Sequence, residues 1–169
     1  RKALSFAIDR ARIIEDFLYG YGSLGKGPIP PASWAHDSSI IADPYKPELC
    51  MQILDELGWI DTDGDGYREK NGLILEFGII TKKGDSVREN SLIMLRENFN
   101  AIGAKVDCKV VEFSSMIDQV RSGNFDSYLR VYSARMSVDP SALYASGKGN
   151  RFNYGNYASA KADSLLSIA

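Results

Sequence analysis

Histidine and cysteine are almost missing from this chain of 169 residues, which has one His, His36, and two Cys, Cys50 and Cys108. A lone imidazole cannot assemble a histidine-rich metal centre. Two thiols do not make a disulfide framework. Cys50 falls on an apolar helical stripe with Ile53 and Leu54, and Cys108 alternates with Val106 and Val110 as in a strand. Buried free thiols are therefore expected, with a bridge between them as the alternative. Surplus charge is small too. A formal net charge of −2 provides neither a basic field for nucleic acid nor a polybasic membrane signal. No run of eighteen apolar residues occurs, so no membrane-spanning helix is expected. The chain has no G-x-S-x-G elbow, no P-loop and no H-E-x-x-H, which points away from an enzyme and from a bound cofactor. Carboxylate neighbours such as Asp55 and Glu56 sit on an exposed helix face, where solvation is the ordinary state.

What remains is an ordinary globular balance, 44% apolar and 25% charged, long enough for one core or a core and a small satellite. Residues 57–72, LGWIDTDGDGYREKNG, are the most informative stretch because two readings compete there. Asp61, Asp63, Asp65 and Gly66 match the first half of a twelve-residue calcium loop, which closes on a bidentate Glu at its last position. Counted from Asp61, that position is Gly72, and the usually apolar eighth is Arg68. The calcium reading fails at its most important ligand unless Glu69, at the ninth position, rescues it through water. As backbone punctuation the same residues fit throughout. Gly58 ends a helix in the left-handed conformation, Asp-Gly steps form tight turns, and Asn71-Gly72 closes a hairpin between Tyr67–Lys70 and Leu73–Ile80.

Along the chain, periodicity predicts helices over 2–8 and 10–19 broken near Asp9, which serves as an N-cap. A Gly/Pro/Ser-rich connection follows over 20–45, with Trp34 in its middle. Loops of that length tend to be functional or to wrap a surface. The Trp34 ring is expected to pack on the core, with a ligand-facing ring as the alternative. Pro47 opens a helix to Leu57. The run LILEFGII over 73–80 reads as a continuously buried strand. Asp85-Ser86 caps a helix ending at Gly103, strand 105–111 alternates and so has one wetter face, and a helix over 114–121 precedes strand 125–132. This order favours a three-layer α/β sheet, with parallel pairing between at least its first two strands.

Candidate binding residues follow from that topology. Ligands of open α/β sheets gather at the carboxyl ends of parallel strands. Phe113 follows strand 105–111 and Tyr132 ends strand 125–132, so Phe113, Tyr132, Ser133, Arg135 and Met136 are candidates for the rim of a cleft. The plain alternative is that Tyr132 closes the core and Arg135 is solvated.

Several segments together carry a family resemblance: RKALSFAIDR at 1–10, the 57–72 turn, Ile102-Gly103, the S-G-x-F-D step at 122–126, Asp139-Pro140, and NYGNYASAKADSLL at 153–166. Each motif alone is weak, but their order and spacing are specific. The chain resembles the peptide- and nickel-type solute-binding proteins of ABC importers, extracellular solute-binding family 5, along essentially its whole length. The resemblance implies a periplasmic binding protein-like II lobe, α/β, three-layered, with a mixed and partly parallel central sheet and flanking helices. It implies that residues 1–169 are a single lobe cut from a two-lobed receptor that closes on a small-molecule or peptide solute. The implied partners are the second lobe and an ABC permease, and the implied location is extracytoplasmic, periplasmic or as a cell-surface lipoprotein. Phe113 matches an aromatic that lines the pocket in peptide-binding members. Where those members carry W-x-x-D, whose Asp pairs with a peptide ammonium, Tyr132 takes the aromatic place and Arg135, or Met136 with a shifted gap, takes that of the Asp. An Arg cannot pair with an ammonium and favours a carboxylate, phosphate or neutral polar solute. A ligand sensor on the same fold, or a calcium module built on Asp61–Asp65, are the alternative functions.

Overall fold

The computed structural model describes residues 1–133, 139–147 and 152–168. The chain divides into two compact units, the first comprising residues 1–24, 43–118 and 125–130, the second residues 25–42, 119–124 and 131–169.

In the first unit, local signals set the helix ends. Helices α1 (Lys2–Ser5) and α2 (Arg10–Leu18) are separated where the Asp9 carboxylate accepts the Arg12 N–H at 3.0 Å, an N-cap of the expected kind. Helix α3 (Pro47–Glu56) starts with proline where no N–H partner is needed. It stops at Gly58, whose φ of 79° lets Gly58 N–H reach Asp55 O and Trp59 N–H reach Leu54 O, the bond pair of a Schellman cap. Strands β1 (Glu69–Lys70) and β2 (Leu73–Ile74) pair antiparallel around Asn71 and Gly72, with φ of 52° and 77°. Two positive values at the centre make the turn type I′, as an Asn-Gly pair requires.

Strand β3 (Glu76–Lys82), helix α4 (Ser86–Asn100), strand β4 (Lys105–Val111), helix α5 (Phe113–Ser122) and strand β5 (Ser127–Leu129) follow in turn. The sheet order is β4-β3-β5, with β3 parallel to both neighbours. The fold is α/β with a parallel sheet and flanking helices; antiparallel pairing among the described residues is confined to the β1–β2 ribbon and its Ile60–Glu69 bridge. The core joins Phe6 and Ala7 after α1, Cys50 and Leu54 of α3, Leu92 and Phe99 of α4, and Ile79 of β3. Phe77 and Phe99 meet edge to face at 5.2 Å. The other face of β4 is wet, as its alternation predicts: Lys105, Asp107 and Lys109 are exposed.

Three expectations change. The apolar run at 73–80 is not one buried strand: pairing switches at Leu75, and Leu73 and Ile74 are 69% and 43% exposed. The run serves two elements, and only β3 has a helix layer over it. The expected strand at 125–132 contracts to three residues in β5. Trp34 does not bury its ring and is 87% exposed. Its loop turns instead about Ser33, which is buried, donates its N–H to Pro30 O, and accepts the Ala35 N–H on Oγ and the His36 N–H on its carbonyl, leaving the indole outside. Both cysteines are free thiols, Cys50 buried and Cys108 partly so, and burial raises both above the ordinary thiol range.

In the second unit, helices α6 (Ser141–Tyr144) and α7 (Ala160–Leu166) are tied by side chains. Asp163 accepts the Ser146 N–H at 2.7 Å, and Asn153 bonds Ala145 O and both backbone groups of Tyr157. The 153–166 segment thus supplies backbone ties.

Candidate functional site

The carboxyl edge of the sheet is laced from within. Thr81, fully buried near the end of β3, donates its hydroxyl to Leu129 O of β5 at 2.9 Å. Just past the strand, Lys83 N–H donates to Val111 O of β4 at 2.8 Å. The chain then turns at Gly84 into the Asp85 cap, where the carboxylate takes the Arg88 N–H at 3.0 Å and an ion pair from the Arg88 guanidinium. Glu89 reaches back to the N–H groups of Gly84 and Asp85. Side chains of the turn thereby bond Arg88 N–H in the first turn of α4 and the two N–H groups that lead into it. Arg88 holds the Asp85 carboxyl below the usual carboxylate range, chiefly through its side-chain hydrogen bond.

Phe113 opens α5 two residues beyond β4 and is 54% exposed, at the strand end where a cleft residue is expected. Tyr132 lies three residues beyond β5, in the second unit, and is 51% exposed. Its ring is met edge to face by Phe152 at 6.3 Å, and Phe152 meets Tyr154 in the same manner at 6.3 Å. Ser133 is exposed. Phe113 belongs to the first unit, Tyr132, Ser133 and Trp34 to the second. Arg135 and Met136 lie outside the described residues. This chain of rings escaped the sequence reading because nothing local links positions 132, 152 and 154; only the density of rings at 152–157 hints at it.

The acidic turn is geometrically suggestive: one carboxylate oxygen each of Asp61, Asp63 and Asp65 lies within 4.8 Å of the others. Those carboxylates are engaged with their own backbone. Asp61 accepts from Gly64 and Gly66 N–H at 2.7 and 3.0 Å, Asp63 from Asp65, and Asp65 from Tyr67. Glu69, the rescuing ligand of a calcium reading, bonds Thr62 through both backbone N–H and hydroxyl. Arg68, at the loop's eighth position, turns inward and donates to Ile102 O and Trp59 O at 2.8 and 2.7 Å, and pairs with Asp55. The side chains of the turn thus brace its own backbone and tie it to the segments around it.

The parallel sheet with its flanking helices has the architecture of the periplasmic binding protein-like folds. The profile of the bacterial extracellular solute-binding proteins, family 5 middle region, matches residues 1–154, and the chain belongs to that family, one of solute-binding receptors. It is 32% identical over 174 residues to the oligopeptide-binding protein AppA of Bacillus subtilis, an alignment covering all of this chain and 32% of the relative. It is 25% identical over 175 residues to heme-binding protein A of Haemophilus influenzae, covering all of this chain and 30% of that one. In structure it superposes on AppA in complex with a nonapeptide with a TM-score of 0.90 and 30% identity, over 99% of this chain and 34% of that one. On NikZ from Campylobacter jejuni in complex with Ni(L-His) the TM-score is 0.87 at 25% identity, over 99% and 34% of the two chains. The chain therefore spans about a third of the length of these relatives.

Proposed function

We propose that residues 1–169 are most of one lobe of a solute-binding receptor that serves an ABC importer, works outside the cytoplasm, and binds without catalysis. The observation that carries this reading is the whole-chain likeness to the peptide-bound AppA lobe, together with exposed Phe113 and Tyr132 following β4 and β5. In a hinged clamp each lobe supplies part of the contact surface, so closure and affinity are one event. Phe113, Tyr132, Ser133, Arg135, Met136 and Trp34 are this lobe's share of that surface. The relatives are named for oligopeptides, heme and a nickel complex, so the solute is not inherited with the fold.

Arg135 steers the choice of solute. A guanidinium where peptide binders hold a carboxylate repels a free ammonium and attracts carboxylate or phosphate. The solute is accordingly anionic or neutral and polar. A thermal-shift screen of the full-length protein against di- and tripeptides, acidic and amine-blocked peptides, sugars and metal chelates tests both parts. Micromolar binding of unmodified di- or tripeptides removes the selectivity argument. No shift from any class, or turnover of one, removes the receptor reading.

A further inference from the structure

Tyr132 lies in no helix or strand, three residues beyond the end of β5. A side chain on such a segment keeps one orientation only where packing holds it. Phe152 packs against it within the second unit. Its ring meets Tyr132 at 6.3 Å with 70° between the planes, and meets Tyr154 at 6.3 Å and 78°. Phe152 and Tyr154 are half-buried, whereas Tyr132 is exposed, so the rings run from a covered support to an open one. The support is itself anchored. Phe152 N–H donates to Ala142 O of α6 at 3.1 Å. The next residue, Asn153, donates its side-chain amide to Ala145 O and Tyr157 O at 3.1 and 2.7 Å and accepts Tyr157 N–H at 2.9 Å. Tyr157 in turn meets Tyr144 of α6 edge to face at 6.2 Å. These ties fix the backbone of Phe152 against α6.

We propose, on the reading of Tyr132 as a solute contact, that Phe152 is a positioning residue. It sets the Tyr132 ring before solute arrives and acts on binding only through that ring. An edge-to-face pair at this separation favours one ring orientation by a factor of about two to ten. A ring ordered beforehand loses no further freedom when solute binds, so removing Phe152 weakens binding by about the same factor. Leucine at 152 keeps apolar bulk but presents no ring edge or face, whereas tyrosine keeps the ring. A residue that merely filled space would not separate those two replacements.

Full-length protein with isotope-labelled tyrosine rings, dialysed free of solute, gives the first readout by NMR. The Tyr132 ring signal, identified by its loss in Tyr132→Phe, should shift in Phe152→Leu and stay in place in Phe152→Tyr. The signals of Tyr19 and Tyr21, in the first unit, should not move in either. Calorimetric titration gives the second readout, with N-acetyl-triglutamate as an anionic probe and N-acetyl-trialanine amide as a neutral one. Phe152→Leu should bind the better probe about two- to tenfold more weakly, and Phe152→Tyr as the wild type does. Added to Tyr132→Ala, Phe152→Leu should cause no further loss. A further loss there overturns the proposal, because Phe152 then acts on binding without Tyr132. A Tyr132 signal or an affinity that Phe152→Leu leaves unchanged overturns it too, while Tyr132 remains a solute contact. Tyr132→Ala that binds like the wild type, or a wild type that binds neither probe, instead removes that contact reading, and the role of Phe152 with it. If Phe152→Leu fails to fold, Phe152→Met replaces it in every comparison.

Discussion

Arg68 lies directly over Gly103: a β-carbon built on the glycine stands 2.8 Å from Arg68 Cγ, and the Gly103 carbonyl accepts the Arg68 N–H at 2.8 Å. Gly103 also holds φ at 82°, ending α4 with the bond pair seen after α3, Gly103 to Asn100 O and Ala104 to Phe99 O. Two separate demands, a left-handed cap and a close side-chain approach, fall on one residue. Gly58 has the first demand alone, since its nearest neighbour is the flexible Lys70 side chain at 3.8 Å. Gly58→Ala should then cost about 1 kcal/mol, the left-handed penalty. Gly103→Ala should cost about 2–4 kcal/mol because displacing Arg68 adds to it. Urea unfolding of both variants checks the difference, and equal costs would remove the role given to Arg68.

The acidic turn yields a prediction of opposite sign to a calcium site. Asp61 accepts two backbone N–H groups that no other side chain reaches in that turn. Asp61→Ala should destabilise by about 1–2 kcal/mol with or without calcium. Millimolar calcium should leave the melting temperature of the wild type unmoved, because Gly72 stands where the bidentate ligand is needed. A calcium-dependent rise that disappears in Asp61→Ala would restore the metal reading.

Acid should loosen α4 through its cap. The Asp85 carboxyl is held low by the Arg88 side-chain hydrogen bond and then by the Arg88 backbone N–H. A group whose pKa is lower folded than unfolded stabilises fully above its unfolded value, about 3.9, and loses that contribution as pH falls through the folded value. In that window the unfolded chain binds the extra proton, so stability falls with pH. Asp85→Asn keeps an acceptor for the cap but cannot titrate, and its stability should decline less steeply than wild type below about pH 4. Urea midpoints across pH 2–7 for the two proteins measure this, and parallel curves would contradict it.

Local chemistry was the legible part of this fold. Asp9 and Asp85 cap the helices expected of them, Gly58 and Gly103 end theirs, and Asn71-Gly72 makes its turn, because each needs only its own neighbours. Cover is not local, and there the apolar pattern misled. Leu73, Ile74 and Trp34 are apolar in sequence yet exposed, since burial depends on which distant element arrives on top. Arg68 shows the same limit from the polar side. As the eighth residue of a loop it read only as a defect, whereas the three hydrogen-bond partners of its side chain, Asp55, Trp59 and Ile102, come from segments up to 34 positions away. Of the candidate residues, the position of Phe113 just beyond β4 was legible from topology and resemblance, while the Phe152 ring against Tyr132 depends on a tertiary contact.

The rings at the strand ends can be separated from the core by what their loss changes. Phe113 and Tyr132 are each about half exposed, so truncating either removes little buried area and should cost less than about 1 kcal/mol of stability. If they face solute in the closed clamp, each truncation should weaken its binding by roughly tenfold or more, as loss of an aromatic anchor does. Leu92 is the contrasting control at 2% exposure: Leu92→Ala should cost about 2–5 kcal/mol through its cavity while the folded fraction binds solute as before. Calorimetric titration of the full-length variants with the best solute from the thermal-shift screen, alongside urea unfolding, reads both axes. Phe113→Ala and Tyr132→Ala that match wild type in affinity would move the solute contact away from these rings. Large stability losses in them would return both residues to packing.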